Sequence, residues 1–260
     1  MELYFINLSR RGDRRAAMET QARRLGLALA RLDAMDAREA GPAELDRRFE
    51  KNGPLGVIPR GDQCCFLSHR LAWKRLVESG DAYAAVLEDD VELSPRAPLV
   101  LQNEDWIPPG TDLIKLEHYG PASQSVLLSD FKNVCHGFRL GRMRSRHTGA
   151  AAYILSRRAA ELLLQIPCFD LPVDHLLFNP NNSRLFARLK PWQLVPAIAR
   201  QQEFVGEKSD IEKTRAGLRA FGWAYIRREL MRFGYDLKLL PRQIAALLSG
   251  AKFVAVKTAD

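Results

Sequence analysis

Three adjacent carboxylates follow a short apolar run near the middle of the chain. The run is Ala84-Ala85-Val86-Leu87, and the acids are Glu88, Asp89 and Asp90. Burying an uncompensated charge costs several kcal/mol or more, so we expect these acids at the carboxyl edge of a sheet, where open α/β sheets bind ligands. Clustered carboxylate oxygens there suit Mg²⁺ or Mn²⁺. A solvated acidic turn that closes the strand explains the same residues equally well.

Arginines follow the first predicted strand. Residues 3–8 are apolar, aromatic and β-branched apart from Asn7, which predicts a strand with Asn7 near its end. Arg10 and Arg14 belong to a group of four arginines at the junction with the next helix, where guanidinium groups and a helix N-terminus both favour phosphate. The alternatives are a solvated basic turn and, for Asn7, a turn residue bonded to the backbone.

The segment from Gly61 to Gly80 has the clearest helical pattern, with Asp62 at its start and a glycine at its end. Ser68 and His69 lie at or beside its apolar face. A serine in such a face commonly bonds to the helix backbone, and a lone histidine on a helix is more often structural than catalytic.

Two later segments also carry candidate residues. Asp174 and His175 open an apolar helical turn after Pro172, and an N-cap role for Asp174 has about the same weight as a catalytic one. Residues 137–147 hold four arginines among glycines, which predicts a mobile loop over an anionic ligand.

The bulk composition predicts one sizeable core in a reduced, cytoplasmic protein. The 260 residues carry a net charge of +8, and the four cysteines form no CxxC pair and no zinc spacing. The N-terminus does not have the order of a signal peptide, and no apolar run approaches the roughly 20 residues of a membrane span.

Charge divides the chain into two predicted parts, 1–210 and 211–260. The second holds 10 Lys and Arg against 4 Asp and Glu, with Leu218, Phe221 and Tyr225 at helical spacing. Such a tail suits an anionic membrane surface, and we prefer this slightly over a helical subdomain that packs on the body. No nucleic-acid motif is recognisable, so we expect no nucleic-acid partner.

Several blocks in one order resemble glycosyltransferase family 25, the lipooligosaccharide and lipopolysaccharide core glycosyltransferases. They are Ile6-Asn7-Leu8-Ser9-Arg10 with Arg14 and Arg15, Cys65-Phe66-Leu67-Ser68-His69 with Trp73, Val86-Leu87-Glu88-Asp89-Asp90-Val91, Thr148 through Ser156, Pro172-Val173-Asp174 and Pro196 through Ile211.

The resemblance implies an α/β fold of GT-A type, a Rossmann-like sandwich with a mostly parallel central sheet, followed here by a basic helical C-terminal segment. It implies an inverting, metal-dependent transferase that moves a hexose, most often galactose from UDP-galactose, onto a lipid-linked or lipopolysaccharide-core glycan. Such an enzyme would work in the cytoplasm or on the inner face of the inner membrane. A catalytically inactive nucleotide-binding or scaffold protein on the same fold is the alternative.

The resemblance also implies roles for individual residues. Mn²⁺ or Mg²⁺ would be held by Glu88, Asp89 and Asp90. Asp174 is the first choice for the base that accepts the proton of the acceptor hydroxyl, with His69 and His175 as lesser candidates. Donor binding is assigned to Asn7, Arg10, Arg14, Ser68, Glu88 and Asp89.

Overall fold

The computed structural model describes residues 1–118, 125–202 and 223–260, as alternating strands and helices. The elements of the first part are β1 (Glu2–Asn7), α1 (Gly12–Leu25), β2 (Ala30–Asp33), α2 (Pro42–Asp46), α3 (Arg60–Ser79), β3 (Tyr83–Glu88), β4 (Val91–Leu93) and α4 (Pro98–Leu101). Those of the second part are β5 (Leu113–Lys115), β6 (Glu117–His118), β7 (Ser125–Asn133), β8 (Arg139–Met143), β9 (Ala152–Ser156), α5 (Arg157–Leu164), α6 (Val173–Phe178), α7 (Phe186–Leu189), β10 (Trp192–Val195), β11 (Ala199–Gln201), α8 (Trp223–Leu248) and β12 (Lys252–Ala255).

A nine-stranded sheet in the order β12-β7-β8-β10-β5-β9-β3-β1-β2 forms the centre of the described structure. The predicted α/β class is confirmed. The sheet is mixed: β1 pairs in parallel with β2 and β3, and β10 with β5, while the other neighbours are antiparallel. The parallel group around β1 brings three carboxyl ends to one edge of the sheet.

The register of that parallel group determines which side chains meet at the edge. Ile6 lies opposite Glu88, and Asn7 lies opposite Asp33. A smaller sheet has the order β4-β11-β6, with Gln201 of β11 opposite Val91 of β4. It begins directly after Glu88, Asp89 and Asp90, which we call the acidic turn. The acidic turn therefore lies between the two sheets.

Helix α3 ends as its sequence predicts, because Gly80 adopts a left-handed conformation with φ 80° that an L side chain rarely takes. Phe66 and Trp73 are fully buried, and the Phe66 ring lies 4.1 Å from that of Phe169. Burial of large side chains is worth about 1.5–3 kcal/mol each, so this face fixes α3 against the sheet. Its N-terminal half thereby reaches the acidic turn.

The segment 137–147 contains a strand, so the prediction of a mobile loop there is wrong. β8 is antiparallel to both β7 and β10. Its arginines are accommodated by neighbouring side chains: Arg142 lies over the Trp192 ring at 5.6 Å, and Arg144 forms an ion pair with Asp130 at 2.7 Å. The aliphatic stem of an arginine can pack on a neighbouring ring while its charged end meets an acid. A strand with several such arginines has the same composition as a polar loop.

The basic C-terminal segment is helical over α8, as predicted, but it ends in a strand. β12 adds to the main sheet as the antiparallel neighbour of β7. The predicted boundary at 210/211 and the side chains of Leu218 and Phe221 lie outside the described residues, so the division into two domains stays a prediction. Within the part that is described, no helix is both long enough and apolar enough to cross a membrane.

Candidate active site

The three acids lie where the sequence predicts. Glu88 is the last residue of β3, and Asp89 and Asp90 form the turn into β4. All three are partly exposed at the carboxyl edge of the parallel strands. Their neighbours differ, and those differences distinguish their chemistry.

Asp89 accepts hydrogen bonds from two neighbours in the first strand–helix unit. Asn7 donates from Nδ2 to its Oδ2 at 2.7 Å, and Arg14 donates from Nη1 to its Oδ1 at 3.0 Å. Asn7 is buried, and its Oδ1 accepts a hydrogen bond from Nε of Arg31 at 3.0 Å. Both oxygens of Asp89 are therefore engaged by protein donors, which suits an acid that orients the turn.

Asp90 is the least compensated of the three acids. Its Oδ2 lies 3.7 Å from Arg14, and its Oδ1 is buried without a hydrogen-bond partner among the described residues. Burial, and next the nearby charge of Glu88, raise the pKa of Asp90 to about 7, although Arg14 and a hydrogen bond from Gln201 act in the opposite direction. A cation at this position would relieve both effects.

Glu88 ends a chain of buried hydrogen bonds. Its Oε1 lies 3.1 Å from Nε2 of His69, whose Nδ1 lies 3.0 Å from the hydroxyl of Tyr153. The indole of Trp73 donates to that hydroxyl at 2.8 Å. An ionised carboxylate can only accept hydrogen bonds, so Nε2 of His69 carries the ring hydrogen and donates to Glu88. Nδ1 then accepts a hydrogen bond from the Tyr153 hydroxyl, and every group of the chain is satisfied. The chain fixes the position of the Glu88 carboxylate.

Cys65 also contacts Glu88, with its Sγ 3.9 Å from Oε1. Burial and the charge of Glu88 raise the pKa of the Cys65 thiol well above its ordinary value. The residue is therefore a thiol and not a reactive thiolate, and a nucleophilic role does not suit it.

Two predicted donor-binding residues have protein partners nearer to β2. Nε of Arg10 lies 2.6 Å from Oδ2 of Asp36. Ser68 is buried, accepts from the backbone N–H of Met35 at 2.9 Å and donates to the carbonyl of Cys64 at 2.8 Å. The bond from Met35 joins the segment after β2 to α3. The bond to Cys64 is the helix-backbone bond that a serine in an apolar helix face commonly makes.

Asp174 and His175 lie in the first turn of α6. The N-cap of this helix is Pro172, so Asp174 is inside the turn and is not the cap. The backbone N–H of Gly149 donates to its Oδ2 at 3.4 Å, and Nε2 of His175 lies 4.0 Å from the same oxygen. Nδ1 of His175 accepts from Asn179 at 2.7 Å. The Asp174 carboxylate keeps partial exposure beside this polar group.

A buried ion pair that the sequence does not predict lies beside these acids. Nζ of Lys115 lies 2.7 Å from Oε1 of Glu117, and both side chains are fully buried. Lys115 also donates to the carbonyl of Gly149, and the same Glu117 oxygen accepts from the N–H of Ala151 at 2.8 Å. The alternation of Lys115 and Glu117 around Leu116 indicates one shared face, which is the only sequence signal for the pair.

The ion pair connects the two groups of acids electrostatically. Burial lowers the pKa of Lys115, and the charges of Glu117, Asp174 and Glu88 act against that shift. Burial raises the pKa of Glu117, and Glu88 adds to the increase. Asp174 and Glu88 therefore act on the same buried lysine, from α6 and from β3.

The structure thus brings most of the predicted residues to one region. Asn7, Arg14, Glu88, Asp89 and Asp90 meet at the edge of β1 and β3, with His69 behind Glu88 and fully buried. Arg10 and Ser68 contact the segment that follows β2 instead. The arrangement offers one underpartnered acid next to an arginine, a second acid in fixed orientation, and a separate, partly exposed carboxylate at Asp174.

Comparisons with known proteins give relatives of one kind. The chain is 29% identical over 218 residues to the lacto-N-neotetraose biosynthesis glycosyltransferase LgtB of Neisseria meningitidis serogroup A, which covers 78% of this chain and 75% of that protein. It is 30% identical over 135 residues to the lipooligosaccharide biosynthesis protein lex-1 of Haemophilus influenzae, which covers 47% of this chain and 44% of that protein. The first relative is named for the biosynthesis of lacto-N-neotetraose and the second for that of lipooligosaccharide.

Among solved structures, a glycosyltransferase involved in the glycosylation of the major capsid of PBCV-1 superposes with a TM-score of 0.40 at 8% identity, over 89% of this chain and 98% of that chain. The model of glycosyltransferase family 25, described as LPS biosynthesis protein, matches residues 1–177. That range holds every predicted site residue, from Asn7 to His175. The chain is therefore a member of glycosyltransferase family 25.

Proposed function

We propose that this protein is an inverting, metal-dependent transferase that moves a hexose, galactose from UDP-galactose, onto a lipopolysaccharide or lipooligosaccharide core glycan. Family membership supports the nucleotide-sugar donor and the glycan acceptor. The observation that carries the proposal is Asp90, the least compensated of the three acids. Its buried Oδ1 has no hydrogen-bond partner in the described part of the chain, and it lies directly beside Glu88 and Arg14.

The donor set at this turn fits a hard divalent cation. Asp90 and Glu88 offer carboxylate oxygens, the ligands that Mn²⁺ and Mg²⁺ prefer, while Asp89 is engaged by Asn7 and Arg14. We therefore assign the metal to Asp90 and Glu88 and give Asp89 a positioning role. When bound, such an ion supplies positive charge beside the diphosphate of the donor.

Arg14 adds a guanidinium to the same edge and is suited to a donor phosphate. Asp89 and Asp90 both lie close to Arg14, so a diphosphate that approaches the turn would meet a guanidinium group that is already held in place. Fixed charge of this kind stabilises the departing nucleotide without reorganisation during the reaction.

Asp174 is the best candidate for the base. In an inverting transfer, the acceptor oxygen forms a bond to C1 while the bond from C1 to the nucleotide breaks, and the acceptor proton passes to a protein group. Asp174 is partly exposed, whereas His69 is fully buried with both nitrogens engaged. His175 lies beside Asp174 and is suited to holding its orientation.

A thermal-shift panel tests this function, since a ligand that binds only the folded state raises the melting temperature. UDP with Mn²⁺ should raise the Tm of the parent protein by several degrees, and neither component alone should match that rise. Asp90→Ala should lose the metal-dependent part, while Asp105→Asn, at an exposed acid, should keep it.

A transfer assay with UDP-galactose and a core oligosaccharide completes the test. Turnover by the parent protein supports the enzyme. Metal-dependent UDP binding without transfer or donor hydrolysis would favour the alternative of an inactive scaffold, and no response to any nucleotide would overturn the proposal.

We further propose that the enzyme docks on an anionic bilayer through the outer face of α8. Six large apolar side chains on α8 and β12 are exposed, and the exposed residues Lys238, Arg242 and Lys252 lie among them. An apolar stripe within a basic surface suits the interface of an anionic membrane. The apolar residues are Leu237, Leu240, Ile244, Leu247, Leu248 and Phe253.

Sedimentation with vesicles that contain an anionic phospholipid tests the docking surface. The double variant Leu240→Asp and Ile244→Asp should lose most binding, because both apolar contact and charge attraction weaken. Val57→Asp, at an exposed apolar residue elsewhere, is the matched control. Equal partition of the parent and the double variant would contradict docking through α8.

A further inference from the structure

A thiol, an imidazole and a carboxylate converge behind the acidic turn. Cys65 and His69 are one helical turn apart on α3, Glu88 ends β3, and one ligand atom from each lies within 4.8 Å of the other two. We propose that these three side chains form a second cation site, specific for a thiophilic divalent ion such as Zn²⁺. Its sulfur and nitrogen donors differ from the oxygen donors proposed at Asp90.

The distances between these atoms suit a tetrahedral ion. Zn²⁺ takes sulfur at about 2.3 Å and nitrogen or oxygen at about 2.0–2.1 Å, which puts nitrogen and oxygen about 3.3 Å apart and sulfur and oxygen about 3.5 Å apart. In the structure Nε2 of His69 is 3.1 Å and Sγ of Cys65 is 3.9 Å from Oε1 of Glu88. The two distances to Glu88 are within a few tenths of an ångström of these values. Sγ of Cys65 and Nε2 of His69 lie within 4.8 Å of each other, so the cysteine side chain moves by up to about 1.3 Å to complete the site.

The surroundings of His69 are those of a metal-binding histidine. Such histidines nearly always bond through their second ring nitrogen to a fixed partner, which orients the ring. The second nitrogen of His69 lies 3.0 Å from the Tyr153 hydroxyl, and Trp73 in turn holds that hydroxyl. The imidazole is thus oriented toward Glu88 before any ion arrives.

Binding would release one proton. The Cys65 thiol loses its proton to solvent as the sulfur bonds to the ion, because a coordinating thiol is deprotonated. The imidazole stays neutral: its proton moves from Nε2 to Nδ1, where the oxygen of Tyr153 accepts it, and the hydroxyl hydrogen of Tyr153 rotates away from the ring. Cys65 and Glu88 are both partly exposed, so the ion has a route from the open edge of the sheet.

Occupation of this site would inhibit the enzyme. Glu88 is shared with the proposed oxygen-donor site, so an ion held by Cys65 and His69 draws that carboxylate away from the donor diphosphate. This consequence rests on the proposed function, whereas the site itself does not. A thiophilic ion should therefore reduce transfer measured in the presence of Mn²⁺.

Cobalt titration of the full-length protein tests the site without any substrate. Co²⁺ bound to a thiolate gives a near-ultraviolet charge-transfer band, and Zn²⁺ should abolish that band by displacement. The parent and Cys168→Ser, the matched control at a partly exposed cysteine, should show the band at one ion per chain. Cys65→Ser should lose it, and Tyr153→Phe should weaken ion binding by about 10- to 100-fold.

Two results would overturn the site: no band in the parent protein, or a band of equal strength in Cys65→Ser. Inhibition gives a second measurement, in which the half-inhibitory Zn²⁺ concentration should rise at least about tenfold in Cys65→Ser, relative to the zinc-free rate of that variant. Failure of the proposed function is distinguishable, because it would appear as a zinc-free protein that gives no response to UDP with Mn²⁺.

Discussion

Nδ2 of Asn7 lies 2.7 Å from Oδ2 of Asp89, and this bond joins the end of β1 to the acidic turn that follows β3. The two residues are far apart in sequence and meet because β1 and β3 are parallel neighbours. The amide fixes one oxygen of Asp89 while Arg14 fixes the other. These two bonds orient the turn through Asp89 and so position the neighbouring Asp90, the proposed metal ligand.

Asn7→Ala should lower turnover because it frees one side of the turn. Loss of a group that orients a ligand residue typically costs about 10- to 100-fold, so we expect a decrease of that size in the kcat of UDP-galactose transfer. Asn133→Ala, at an exposed position of β7, should be unaffected. An Asn7 variant with the parent rate would show that the turn keeps its geometry without this bond.

Asp174→Asn should reduce kcat by about 10²- to 10⁴-fold if this carboxylate accepts the acceptor proton. Donor binding should persist, because Asp174 lies on α6 and not at the acidic turn; the Tm response to UDP with Mn²⁺ measures it. Asp46→Asn, an exposed acid on α2, is the control. Near-normal transfer by Asp174→Asn would assign the base to another group, and His175→Gln would be the next variant to measure.

The pKa of Asp90 predicts how the stability of the metal-free protein changes with pH. The folded-state value is about 7, above the ordinary value of about 3.9 for an unfolded chain. At low pH both states bind the proton. As pH rises from about 4 to about 7 the unfolded state loses it first, so the folded state becomes relatively less stable over this window.

Asp90→Asn cannot titrate and escapes this loss. The free energy of unfolding of the variant minus that of the parent, measured without divalent metal, should therefore increase between about pH 4 and about pH 7, by up to about 1.4 kcal/mol for each unit of pKa shift. The difference in Tm should rise over the same range. Asp105→Asn should follow the parent at every pH. A difference that is constant with pH would contradict the raised pKa.

Lys115→Met should destabilise the fold, because Glu117 would stay fully buried without the cation that compensates its charge. Removing one partner of a buried pair typically costs about 3–5 kcal/mol, measurable as a lower free energy of unfolding in urea. The double variant Lys115→Met and Glu117→Gln should recover most of that loss, since the amide oxygen can still accept from Ala151. Lys74→Met, at an exposed lysine, is the control.

If the double variant is no more stable than Lys115→Met, the ion pair does not act as a unit. The packing of Lys115 against the Phe178 ring, at 4.6 Å, would then be the dominant contribution.

The acidic turn was predictable because its physics is local. A run of apolar residues cannot continue through three carboxylates, and the end of a buried strand in an α/β protein is the ligand-binding edge. The end of α3 was predictable for a similar reason, since Gly80 follows the last apolar residues of a helical pattern. Both inferences need only neighbouring residues.

The partners of the arginines were not predictable, because they depend on strand order. The phosphate-binding role of Arg10 and Arg14 stays a prediction. Their neighbouring aspartates, Asp36 and Asp89 respectively, were not part of it. The strand β8 escaped prediction because its Arg142 lies over Trp192 and the following Arg144 pairs with Asp130, contacts that the local sequence does not show. The partner of each of these arginines depends on which strands and helices lie side by side. A single sequence carries little signal for that arrangement.

The C-terminal strand has a mechanical consequence for the docking surface. Only residues 249–251 separate the end of α8 from β12, and β12 is hydrogen-bonded along its length to β7. Beyond it, the N–H of Ala259 donates to the carbonyl of Ala197, two residues before β11, whose Gln201 bonds to Asp90. A bilayer that binds α8 would thus also restrain the sheet through β12. The acidic turn would then lie at a fixed distance from the lipid surface and at a fixed angle to it.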